Sequence, residues 1–101
     1  MTAFLLSING QPRFQTGQIV MTRAVAALVE QGRLNPGTYL GRHLFADWGD
    51  LDEGDWRRND EALHSAQARL HSVYEIEPGL TLWIITEWDR SVTTLLLPSD
   101  D

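Results

Sequence analysis

Cysteine is absent from the 101 residues. That excludes a disulfide framework, a thiol nucleophile and a thiolate zinc site. Lysine is absent as well: all 8 basic residues are arginines, set against 14 Asp and Glu for a net charge of −6. Positive charge this sparse leaves no broad footprint for a nucleic-acid backbone, so direct binding to DNA or RNA is not expected. No apolar run approaches the length of a membrane span. Residues 1–7 hold a short apolar stretch with no basic residues ahead of it, which does not read as a secretory signal, and the expected location is cytoplasmic. Glycine-rich phosphate loops, nucleophile elbows and dinucleotide fingerprints are missing too, and no cofactor is expected.

What remains is an ordinary globular composition, 43% hydrophobic and 22% charged. The length and the lack of repeats or linkers predict a single α+β domain over residues 1–101. Apolar residues 4–8 followed by Asn9 and Gly10 suit a strand entering a type I′ hairpin, with an edge partner near residues 13–15 because Pro12 cannot sit in a central strand. From Thr22 the spacing turns helical. Thr22 can cap a helix whose stripe is Val25, Leu28 and Val29 and whose end is marked by Gly32. Asn35 and Pro36 open a second helix, running to about Ala46 with Tyr39, Leu40, His43 and Leu44 inward. Asp52 caps a third, stapled by Leu51 against Trp56, with Trp56, Ala62, Leu63, Ala66 and Leu70 marking its inward stripe.

Near Arg69 the period falls to two. A three-stranded antiparallel meander is expected: one strand through Leu70, Ser72, Tyr74 and Ile76, a turn at Pro78 and Gly79, then residues 80–88 and 92–97. The overall expectation is therefore about three helices followed by the meander, with room for an extra N-terminal strand. Apolar residues on both faces of the central strand call for cover on each. Trp83, Ile85 and Leu95 are the expected members of the second face, where the N-terminal segment or a homodimer would pack.

Negative charge is concentrated in residues 47–61, where Asp47, Asp50, Asp52, Glu53, Asp55, Asp60 and Glu61 outnumber Arg57 and Arg58 by seven to two. A patch of this sign can meet a basic surface on another protein and speed the encounter at low salt. Asp47, Trp48, Asp50, Asp52, Glu53 and Asp55 are the candidate partner-binding residues, with Trp48 as anchor; Trp88, at a strand end, is a second aromatic candidate. Other chemistry is weakly signalled. The span from Asp50 to Glu61 has the length and final Glu of a calcium loop, but Gly54 is displaced and Arg57 would oppose the ion. His43 with Asp47, and Glu61 with His64, have helical spacing for a shared metal but lack further ligands, and no metal is expected. A small hydrolase or nuclease would have to use His43, His64 or His71 with a nearby carboxylate. Arg90 is expected to pair with Glu87 or Asp89.

Residues 46–55 (Ala-Asp-Trp-Gly-Asp-Leu-Asp-Glu-Gly-Asp), 59–63 (Asn-Asp-Glu-Ala-Leu) and 82–98, from Leu82 to Pro98, resemble a family of short, uncharacterised bacterial proteins. Its members are often labelled plasmid-related and are encoded on mobile or integrated elements. The resemblance covers most of residues 17–98, and Trp88 stands where that pattern has a small residue. It implies an accessory role such as countering host restriction or CRISPR defence. The expected function is a non-enzymatic, acidic protein-binding module whose partner is a nucleic-acid-binding defence complex. The alternatives are the histidine hydrolase and a structural or regulatory homodimer.

Overall fold

The computed structural model describes residues 11–65 and 68–101. In chain order these form β1 (Gln18–Met21), α1 (Arg23–Glu30), α2 (Pro36–Leu44), α3 (Glu53–Ser65), β2 (Leu70–Glu77), β3 (Leu80–Thr86), β4 (Val92–Leu96) and a closing 3-10 turn (Pro98–Asp100). The class is α+β: three helices and a four-stranded mixed sheet in the order β1-β4-β3-β2. The meander β2-β3-β4 is antiparallel. The expected strand at residues 4–8, its Asn9-Gly10 turn and Ala66 lie outside the described residues.

The described sheet carries a fourth strand at a position where none was expected. Residues 13–15 form no strand, because the Arg13 N–H donates to the Leu44 carbonyl at the end of α2 instead of to a sheet. The strand is Gln18–Met21, ahead of the helices, and it pairs parallel to β4. A parallel pair needs a long crossover, and the three helices and the other two strands supply it.

Local chemistry explains the helix starts. Thr22 Oγ1 accepts from the Val25 N–H, Asn35 Oδ1 from the Gly37 N–H and Asp52 Oδ1 from the Asp55 N–H, each satisfying an amide the helix cannot. α2 stops at Leu44, two residues short of expectation. Ala46 takes a left-handed φ of 66°, its N–H bonds the His43 carbonyl, and the Asp47 N–H bonds the Arg42 carbonyl. This is a Schellman ending with alanine in the position that glycine usually holds.

Val25, Leu28, Leu34, Leu40 and Leu44 pack against Tyr74, Leu82, Ile84 and Leu95 to form the main core. A second cluster, Trp48, Ala62 and Leu70, gathers Leu51, Trp56 and Leu63 around it. Strand register corrects the membership of the second sheet face. Leu95 is opposite Ile84 and points to the helices, fully buried, whereas Leu96 is opposite Trp83. The turn after β3 shifts the alternation by one residue relative to the expected pairing. Ile85 and Leu96 are themselves buried within the single chain, so of the expected dimer residues Trp83 alone is partly open.

Candidate functional site

The Schellman ending of α2 turns residues 47–50 alongside β2, the outer strand of the sheet. There the acidic turn closes the sheet edge. The Val73 N–H donates to the Trp48 carbonyl at 3.0 Å, and the Asp50 N–H donates to the Val73 carbonyl at 2.7 Å. The Glu75 N–H, the next outward donor, is taken by Asp50 Oδ2 at 2.9 Å. On the other side Asn59 of α3 does the same with its amide. Its Nδ2 donates to the His71 carbonyl at 2.8 Å and its Oδ1 accepts from the His71 N–H at 3.1 Å. From His71 to Glu75, these contacts occupy the edge that an exposed strand would offer for aggregation. Gly49 is required at the closest point: its φ is 82°, and a Cβ there would sit 2.0 Å from the Val73 carbonyl oxygen.

Trp48 is consequently a core residue and not a surface anchor. It is fully buried, its indole N–H donates to Asp60 Oδ1 at 2.9 Å, and its ring stacks on Phe14 and meets the edge of His43. Its apolar bulk fills the space that the turn creates against α3, while its one polar atom finds an acid one helical face away. Asp47 is held by Arg42 at 2.7 Å and accepts from the Gly49 N–H. The hydrogen bond from Arg42 keeps its carboxyl below the usual carboxylate range. Asp52 caps α3, and Asp55 is ion-paired with Arg58. Glu53 and Glu61 are exposed. The six expected partner-binding residues thus separate into a buried tryptophan, four acids engaged in the turn and helix start, and the exposed Glu53.

Fixing a carboxylate by hydrogen bonds does not remove its charge. Asp50 and Asp52 therefore keep their charge at the surface, where Glu53 and Glu61 are exposed, while Asp47 and Asp55 are offset by Arg42 and Arg58. On that surface Trp56, partly exposed, lines a shallow depression with Glu53, Arg57 and Asp60. Trp88, 61% exposed on the β3–β4 turn, is remote in sequence from this surface. In the same turn Arg90 does not pair with Glu87 or Asp89 as expected. It donates instead to the backbone carbonyls of Ala62, Ala68 and Glu87, and Ser91 takes the Asp89 carboxylate. Carbonyls near the end of α3 carry the negative end of the helix dipole, so a guanidinium is well placed there.

The histidines lie in three unlike settings. His43 is fully buried, with Nδ1 2.5 Å from Ser72 Oγ and Nε2 2.9 Å from Thr86 Oγ1. Thr86 Oγ1 is in turn 2.7 Å from Thr93 Oγ1, which donates to the Thr16 carbonyl at 2.8 Å. That last bond sets the direction of all the others. Thr93 has spent its proton, so Thr86 donates to Thr93; His43 Nε2–H donates to Thr86; and Ser72 donates to the bare Nδ1. Burial, with smaller contributions from the charges of His71 and Arg90, lowers the His43 pKa to about 3, so the imidazole is neutral. Sequence spacing marked His43 as inward, but Ser72, Thr86 and Thr93 carried no signal beyond strand propensity. His64 is exposed and His71 half-buried. Among the described residues neither His43 nor His71 hydrogen-bonds a carboxylate, and no three His, Asp or Glu side chains converge on one metal-sized space. No family model, curated protein or solved structure matches the chain.

Proposed function

We propose that the protein is a non-enzymatic binding module that meets a basic surface of a protein partner through the outer face of α3 and the turn before it. The observation that supports this reading is the acidic surface: Asp50 and Asp52 are fixed by the edge bond and the cap, and Glu53 and Glu61 are exposed without an ion pair among the described residues. Preset charges lose little freedom on binding and raise the encounter rate with a cationic partner. Trp56, and not Trp48, is the aromatic that this surface can offer. In its most concrete form the module occupies the nucleic-acid-binding surface of a host defence complex, as residence on a mobile element would favour. The protein acts in the cytoplasm on this reading. No helix among the described residues is long and apolar enough to cross a membrane.

The hydrolase alternative is less favoured, because His43 is sealed from solvent and, among the described residues, neither His43 nor His71 hydrogen-bonds a carboxylate. The test is capture of tagged protein's partners from host lysate at low and moderate salt, followed by affinity measurement with the purified partner. Glu53→Gln combined with Glu61→Gln is the informative variant, since neither acid closes the edge or caps the helix. A nucleic-acid-binding partner whose affinity falls with salt, and falls again in the double variant with a shallower salt slope, is the expected result. Binding that is indifferent to both salt and the two substitutions would overturn the acidic-face mechanism.

A further inference from the structure

The two edges of the sheet are finished differently. β2 is closed by the turn at residues 48–50 and by Asn59, whereas β1, at the opposite edge, has no such cover among the described residues. Alternate residues of β1 face β4: the Gln18 N–H donates to the Ser91 carbonyl at 3.0 Å and the Thr22 N–H to the Leu95 carbonyl at 3.1 Å. The period of two turns the N–H and C=O of Ile19 and Met21 outward, and no hydrogen bond among the described residues takes them up. The same two residues carry apolar side chains that are 41% and 39% exposed. Gln18–Met21 contains no charge and no proline, and its register with β4 is unbroken by a bulge. An edge without these guards is a template for another strand.

Three features choose the occupant. A two-fold axis at Val20 sets Ile19 opposite Met21 of a second copy and Met21 opposite its Ile19, so that each pair exchanges two N–H···O bonds and every outward group is satisfied. That pairing also gathers the exposed side chains. Ile19 and Met21 share the face of their neighbours Thr93 and Leu95, so in the pair they lie together on the helix side of the sheet. The third feature is charge. Five of the six net negative charges fall in residues 47–61, the turn and helix that hold the β2 edge. Joining two copies at β1 leaves their β2 strands seven strand spacings apart, about 34 Å, several screening lengths at physiological salt.

We propose that β1 is a self-association edge, through which two copies pair antiparallel, Ile19 against Met21, into one continuous eight-stranded sheet. The closed β2 edges end the assembly at two chains, because a third copy finds no open strand. The acidic faces stay free on both copies, so the dimer presents the proposed partner-binding surface twice. A four-residue contact falls short of the roughly 1,200 Å² that stable interfaces bury, which makes the dimer weak, with a Kd on the order of 10–100 µM.

The test is sedimentation equilibrium of the full chain between about 10 µM and 1 mM, with amide hydrogen exchange at both ends of that range. The mass is expected to rise from 11.4 kDa toward twice that value and no further. The Ile19 and Met21 amides should gain protection over the same range, a readout that needs no variant. Ile19→Lys combined with Met21→Lys, both at exposed positions, opposes like charges across each pair and should weaken the dimer about tenfold or more. The two lysines also reduce the net negative charge, which by itself would favour association. A chain still monomeric at about 1 mM overturns the proposal. So does a dimer as strong in the double variant as in the unaltered chain, or protection of the Ile19 and Met21 amides that does not change with concentration.

Discussion

Replacing Asn59 by alanine removes the closure of the sheet edge at His71. Asn59 is buried, 6% exposed, and its side chain makes two hydrogen bonds to His71, 2.8 Å from Nδ2 to the carbonyl and 3.1 Å from the N–H to Oδ1. Truncation strips the partner from both the His71 N–H and its C=O. Each backbone group left unsatisfied costs about 1–3 kcal/mol, and part of that is recovered if water enters, so a total of about 2–4 kcal/mol is expected. For a domain of this size that corresponds to a melting temperature lower by about 10 °C or more. Urea denaturation, with the slope against denaturant held as a check on two-state behaviour, measures the free energy. Amide hydrogen exchange at His71 measures the local opening, which should become faster than that of the central strand β3. Asn59→Asp keeps the acceptor for the N–H but turns a carboxylate toward the His71 carbonyl, and should be no better than alanine. A cost under about 1 kcal/mol together with unchanged protection of the His71 amide would refute edge closure as the role of Asn59.

The His43 network predicts a pH dependence. Folded His43 titrates at about 3 against an ordinary 6.5, so between those values the unfolded chain holds a proton that the folded chain does not. Stability therefore rises with pH across that window, by up to about 1.4 kcal/mol per pH unit, and is lost as pH falls through it. His43→Gln should be less stable at pH 7 yet show a flatter curve from pH 6 downward in urea titrations; parallel curves would contradict the assignment. Two backbone substitutions test the turn that follows α2. Ala46→Gly, by relieving a left-handed φ of 66°, should stabilise the protein by about 0.5–1 kcal/mol in the same assay. Gly49→Ala should cost more than about 3 kcal/mol or prevent folding, because its Cβ would overlap the Val73 carbonyl, and circular dichroism during heating would show it.

Helix starts were legible in the sequence because capping is local chemistry: Thr22, Asn35 and Asp52 act on amides two or three residues away. The meander was legible for a similar reason, since alternation at Leu70, Ser72 and Tyr74 and the Pro78-Gly79 turn need no distant partner to be seen. Where a signal was missing, so was the reading. α2 ends on an alanine where glycine would have announced the stop, and β1 is a four-residue edge strand whose partner lies more than seventy positions along the chain.

The candidate site shows the same division more sharply. Charge is a sum over residues, and the sequence alone determined that residues 47–61 carry five of the six net negative charges. The use of each acid depends on what lies opposite it, and only the tertiary structure decided that. Asp50 caps an amide of β2, Asp60 holds the Trp48 indole, and Trp48 itself is buried because the end of α2 aims the turn at a sheet edge formed by residues 71–75. Likewise His43 became a neutral donor to Thr86 through a chain of hydroxyls from two other strands and a carbonyl at Thr16. Local sequence carries short-range preferences and charge; which polar atoms meet across the fold is settled by the packing that brings their strands and helices together.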